Sequence, residues 1–146
     1  MAFWSSDGKT LALLINPGAD PKLQPGVWLA DRDGGQRQMF SISGIPKWSP
    51  DGKHVLVTSF SSPRQWTLIE LATGTLQPVV VPDVELFSNP SWTGAPGEIV
   101  TVTRRRGIMQ IALVDVADPT ATKISKVLWT RGQAWPDEPM YPTYSS

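Results

Sequence analysis

The sequence predicts an all-β chain built from repeated units of four antiparallel strands, and three observations carry that expectation. The first is a recurring anchor. Trp4-Ser5-Ser6-Asp7-Gly8-Lys9 returns as Trp48-Ser49-Pro50-Asp51-Gly52-Lys53 and, more loosely, as Trp92-Thr93-Gly94-Ala95-Pro96-Gly97-Glu98, and it begins again at Trp135-Pro136-Asp137, so that the tryptophans step by 44, 44 and 43 residues. The second is turn content: 12 Gly and 14 Pro among 146 residues exceed the ordinary share and disfavour long helices. The third is that the apolar runs are short, rich in Val, Ile, Leu, Thr and Trp, and bounded by Gly, Pro and Asp, as strands are.

Each anchor is followed by an apolar run: Leu11 to Ile15, Val55 to Val57, and Ile99 to Val102 once one extra residue is allowed in the third turn. A second run comes next, Val27 to Asp31, Trp66 to Leu71 and Ile111 to Val116, closed by the turn residues Asp33-Gly34-Gly35, Thr73-Gly74 and Asp118-Pro119. A third run, Gln38 to Ile42, Leu76 to Val81 and Lys123 to Trp129, ends each unit. The Asp-Gly pair after each of the first two anchors predicts a two-residue type I′ hairpin, with positive φ at both positions. Several runs are apolar at consecutive positions, which predicts strands covered on both faces. Four-stranded units at a period of about 40–45 residues are the mark of β-propeller blades. The expected blades are 1–44, 45–89 and 90–132, about three per chain. Residues 133–146 are read either as a partial fourth repeat completing a partner's blade or as a frayed tail.

The anchor Trp48 to Lys53, the apolar strand after it, and a strand ending in Leu71-Ala72-Thr73-Gly74 together resemble the TolB-type, WD40-like propeller repeat. The resemblance extends over essentially the whole chain as three repeats and a fourth anchor. The first repeat has Ser6 where the pattern has Pro and a longer loop, Asn16 to Gly26, and the third has lost the Asp-Gly turn. The resemblance implies a six-bladed propeller and a periplasmic or secreted setting, although Met1 to Trp4 lacks the basic and long apolar regions of a signal peptide. Closed propellers have 4 to 8 blades. Three blades leave two broad apolar faces, larger than monomers usually show. A homodimer of two three-blade halves is therefore expected to close one six-bladed ring, the alternative being one piece of a longer propeller.

Thirteen basic and thirteen acidic residues give a net charge of zero, which argues against nucleic acid and anionic membrane surfaces as partners. No stretch approaches the roughly 20 apolar residues of a membrane span. The absence of Cys excludes disulfides and thiolate zinc sites. Asp7 and Asp51 each supply one carboxylate, too few oxygens for calcium, and Asp31 to Gly35 lacks the donors a calcium loop needs at Gly35 and Ile42. Ser6 and Lys9 have a Ser-x-x-Lys spacing, but on a β-turn and not the helix that chemistry uses. His54 has no nucleophile elbow to serve, and Asp115, Asp118, Asp137 and Glu138 read as solvated. No catalytic residue, metal or cofactor is expected. Trp4, Trp48 and Trp92 are expected to pack between blades, with Trp28 and Trp66 structural as well.

The feature that breaks neutrality is Arg104-Arg105-Arg106-Gly107, expected as a loop whose three guanidiniums, with Arg64 from the equivalent loop of the second repeat, grip a partner's carboxylates. The leading expectation is a non-catalytic scaffold for a protein or peptide. Two rivals stand beside it: the propeller portion of a larger serine-peptidase-like enzyme, and a structural half-propeller without a ligand.

Overall fold

The protein is described from a computed structural model over residues 1–61 and 63–132, so Trp135 and the expected partial fourth repeat lie outside the described residues. Sheet 1 consists of β1 (Ala2–Trp4), β2 (Thr10–Ile15), β3 (Gly26–Asp31) and β4 (Arg37–Phe40). Sheet 2 consists of β5 (Ile45–Trp48), β6 (His54–Thr58), β7 (Trp66–Glu70) and β8 (Thr75–Pro78). Sheet 3 contains β10 (Ser91–Trp92), β11 (Glu98–Arg105), β12 (Ile108–Asp115) and β13 (Lys123–Thr130), with the short β9 (Glu85–Leu86) also pairing β11. Every pairing is antiparallel between chain neighbours except β9 with β11. A 3-10 turn at Pro119–Ala121 joins β12 to β13. The segment from Pro82 to Pro90, between the last apolar run of the second unit and the third anchor, thus holds a strand. Among the described residues no sheet closes on itself.

The consecutive apolar positions are explained by two buried layers. Ala12, Leu14, Val27, Leu29 and Phe40 of sheet 1 meet Val55, Val57 and Ile69 of sheet 2 in one layer. Leu56, Trp66, Leu68 and Val79 of sheet 2 meet Leu86, Ile99, Val114 and Val116 of the third unit in the other. Adjacent residues of β6 therefore serve opposite layers, so alternation of side chains along the strand produces no alternation of polarity. The link into sheet 2 passes through Gly44, where a Cβ would lie 2.3 Å from the Thr58 carbonyl oxygen.

The anchor tryptophans tie the sheets together. The Trp48 indole N–H donates to the Phe3 carbonyl at 2.9 Å, and Trp92 donates to the Lys47 carbonyl at 3.2 Å. Each indole thus reaches the residue that precedes the anchor of the sheet before it. Among the described residues no sheet lies in front of Trp4, which is 52% exposed, a departure from the packed position expected for all three.

The anchor turns differ from the expected type I′ geometry. Gly8 and Gly52 take positive φ, 68° and 69°, whereas among the described non-glycine residues only Asp83 and Arg106 do. Asp7 and Asp51 instead use their side chains. Asp51 Oδ1 accepts from the Ser49 hydroxyl at 2.6 Å and from the Lys53 N–H at 3.0 Å, while Ser49 Oγ accepts from the His54 N–H at 3.0 Å. Asp7, Ser5, Lys9 and Thr10 repeat that set at the same distances. The local bonds hold a longer turn in which glycine alone needs the left-handed region. In the third unit Thr93 takes over, accepting from the Ala95 N–H and donating to Glu98 Oε1.

The serine hydroxyl first, and then the lysine N–H, hold both carboxyls below their ordinary value of 3.8. A carboxyl that titrates lower in the folded state stabilises the fold above the unfolded value and loses that contribution as pH falls through the folded one. The variant carrying Asp7→Asn and Asp51→Asn is therefore expected to show a shallower loss of stability below about pH 4 in urea titrations at stepped pH. An acid limb parallel to that of the parent would count against this assignment. Trp48→Phe keeps an aromatic ring but removes the donor and part of the indole packed on the core, and should lower stability by at least about 1 kcal/mol in the same assay, an unchanged midpoint being the contrary result.

Candidate binding site at the loop end of the stack

Because each sheet is a meander and the sheets are held in step by their tryptophans, the connections between second and third strands emerge at one end of the stack. They are residues 16–25, 59–65 and 106–107. The link before β10 reaches the same end, since Arg64 of the second loop donates to Asn89 Oδ1 at 2.5 Å.

The third hairpin reaches furthest. From the residue paired with the anchor tryptophan, β6 runs only from Val55 to Thr58, whereas β11 runs from Ile99 to Arg105. At about 3.3 Å per residue the β11–β12 pair stands roughly 10 Å beyond the end of β6. Arg105 pairs with Ile108, leaving Arg106 and Gly107 as a two-residue turn with φ of 48° and 79°. This is the type I′ signature, found here and not at the Asp-Gly pairs. The arginines were expected in a loop; in the structure Arg104 and Arg105 belong to the strand, and only Arg106 lies in the turn.

The strand separates the three arginines. Ile99, Thr101 and Thr103 are buried on the side of β11 that faces sheet 2, and alternation puts Arg105 on that side, past the end of β6, and Arg104 on the other. Arg104 is engaged: its Nε donates to Glu85 Oε2 at 2.9 Å and its Nη2 to the same oxygen at 2.5 Å, and its guanidinium lies 5.3 Å from the centroid of the Phe87 ring. Arg105 and Arg106 are exposed. The site residues named from sequence are thus Arg64 bonded to a neutral amide, Arg104 neutralised by Glu85, and two outward guanidiniums at the hairpin tip. Glu85, Phe87 and Asn89 were missed because they fall between the last run of the second unit and the third anchor, where no motif marks them and the pairing of β9 with β11 is what brings them to the arginines.

Beside this belt a groove of about 500 Å³ is lined by Arg64, Trp66, Val79, Val80 and Glu85, among others. In the layer beneath, Thr58 Oγ1, Trp66 Nε1 and Thr103 Oγ1 are buried without a hydrogen-bond partner among the described residues. The other polar residues weighed from sequence have structural roles. Asp31 accepts from the Gly35 and Gln36 N–H groups, and Asp115 accepts from that of Ala117. Asp118 caps the 3-10 turn, and the Thr120 hydroxyl, then its N–H, lowers the Asp118 pKa from 3.8. Ser6 donates to the Pro50 carbonyl, bridging sheets 1 and 2. His54 is half-buried opposite Glu70, its N–H bonded to Ser49.

The path of the chain through these sheets is shared with solved structures. TolB from Acinetobacter baumannii matches with a TM-score of 0.59 at 20% identity, over 84% of this chain and 31% of that one. A putative TolB from Agrobacterium tumefaciens matches with a TM-score of 0.55 at 16% identity, over 89% of this chain and 50% of that one. The chain therefore has a TolB-type β-propeller fold, and it spans between about a third and a half of the structures it matches. No protein-family profile and no curated protein sequence matches it.

The Arg104–Glu85 pair is open to solvent, with side-chain exposures of 43% and 36%, so its net contribution is small. Arg104→Ala is expected to change stability by no more than about 1 kcal/mol in urea denaturation. A much larger loss would mean that this group is what holds β9 to β11.

Proposed function

We propose that the chain is a non-catalytic propeller scaffold that binds an acidic segment of a protein or peptide at its loop end, as one half of a six-bladed ring closed by two copies. The observation that carries the binding reading is the β11–β12 hairpin, which extends beyond sheet 2 and ends in the exposed Arg105 and Arg106. Guanidiniums recognise carboxylates by paired, charge-assisted hydrogen bonds. An ordered hairpin, with Arg105 at the strand end and Arg106 in the turn, presents them at little entropic cost, because ordered elements lose less freedom on binding than loops do. The likeness of the fold to TolB structures supports a binding scaffold in general. In a ring of two copies the arginine tip occurs twice, giving a locally basic end to a chain of zero net charge.

The experiment uses a fluorescein-labelled poly-glutamate peptide and fluorescence anisotropy. The parent chain should bind it, more weakly as salt is added. The Arg105→Ala, Arg106→Ala double variant should lose about tenfold or more in affinity, while Lys53→Ala, at the opposite end of the stack, should bind as the parent does. No binding by the parent, or equal binding by the double variant, would overturn the assignment.

A further inference from the structure

Two sheet faces lie outside the two buried layers, and register identifies what each one lacks. Leu11, Val55 and Ile99 are equivalent, each paired with its own anchor tryptophan. Val55 and Ile99 are 0% exposed against the preceding sheet. Leu11, with no sheet before it among the described residues, is only half-buried, and a groove of about 450 Å³ lined by Trp4, Leu11, Leu13, Ile15, Leu23 and Trp28, among others, opens on this side. At the other end of the stack, Val100 is equivalent to Ala12 and Leu56, which are 0% exposed and buried against the following sheet. Val100, Val102, Ile111 and Leu113 of sheet 3 remain half-buried. Among the described residues, each end of the stack thus presents the side that between the sheets is covered by one more sheet.

The anchor bond gives a second, independent sign of the same register. Its acceptors, Phe3 and Lys47, immediately precede an anchor tryptophan. The third residue in that position is Ser91, which is exposed, while Trp4 is the anchor without a preceding sheet to donate to. Among the described residues, the stack therefore carries one anchor donor without a partner at one end and the equivalent acceptor at the other.

We infer that a second copy covers both faces: sheet 1 packs on sheet 3 of the partner subunit, sheet 3 on sheet 1 of the partner subunit, and the Trp4 indole donates to the carbonyl of the partner's Ser91. The argument for a second copy over another occupant is continuity with the two layers already formed. The free faces are the register equivalents of faces that pack on each other within the chain, so repeating the same step joins copy to copy. Two such seams related by a twofold axis give six sheets, within the range of closed propellers. This inference rests on the ring reading under Proposed function and adds its faces and register.

The test uses cysteines at a contact the register specifies. Ser6 touches Pro50 across the layer between sheets 1 and 2, and Gly94 occupies the same place in sheet 3, two residues after its anchor. The chain has no Cys of its own. The Ser6→Cys, Gly94→Cys double variant, treated with a short bis-maleimide, should give a covalent dimer of about twice 16.0 kDa, whereas either single variant should give far less. Light scattering coupled to size exclusion should give the same mass for the parent at micromolar concentration. Trp4→Phe should weaken association at least about fivefold, and Trp4→Arg should leave a monomer with the β-sheet circular dichroism of the parent. A parent that is monomeric would overturn both the ring and this seam. A parent dimer that neither cross-links through these cysteines nor weakens in the Trp4 variants would overturn the seam and leave association standing. Poly-glutamate binding to Arg105 and Arg106 is a separate readout and stands or falls independently of both.

Discussion

The stack depends on one repeated contact, the anchor indole donating to the backbone carbonyl of the sheet before it. Apolar faces attract without direction, so the Val, Leu and Ile layers alone would let neighbouring sheets slide. A hydrogen bond between a fixed ring and a fixed carbonyl does not permit that. Trp48 on Phe3 and Trp92 on Lys47 set the same offset twice, and Ser6 on Pro50 and Lys47 Nζ on the Pro90 carbonyl add further polar ties across the same two layers. The anchor must lie within its own sheet as a strand residue while crossing to the next as a donor.

Register set at the anchor end leaves the opposite end free to vary. The three connections there are a long loop at 16–25, a shorter one at 59–65 and a two-residue turn at Arg106 and Gly107. None of them carries an anchor tryptophan, and the tie that Arg64 makes to Asn89 is exposed, so changing them does not shift the stack. Loops held by a rigid scaffold are where binding residues accumulate. The third unit takes a different route and lengthens its strands, so its tip projects as an ordered hairpin.

The strands and their order were legible because the apolar runs, the anchor and the turn residues all gave the same period. The parts that were not legible depend on contacts remote in sequence or on side-chain bonds that compete with backbone preference. Asp-Gly pointed to a type I′ turn, but Ser5 and Ser49 give the aspartates a hydroxyl partner, and the turn reorganises around it. Glu85–Leu86 is too short for any pattern to reveal, and exists as a strand because β11 extends past β10 and offers it an edge. The partner of Arg104 lies 19 residues away in that same strand. Trp4 matched its equivalents in sequence, yet what buries an anchor is the sheet before it, and no property of residue 4 itself reports on that neighbour.

Three arginines in a row read as one patch, and the strand makes them two. Alternation sends Arg104 to the face of sheet 3 shared by Val100 and Val102, and Arg105 to the side facing sheet 2 but beyond its edge. An unpaired guanidinium beside an apolar face to be covered would be costly to desolvate. That is the position at which Glu85 stands within hydrogen-bond distance and the Phe87 ring lies under the cation. At the tip, where Arg105 and Arg106 face water, charge costs nothing to keep and no carboxylate has been placed to cancel it among the described residues. The distribution of acids around the three arginines thus follows the two environments the hairpin creates, neutralised where another sheet would pack and free where a carboxylate ligand would arrive.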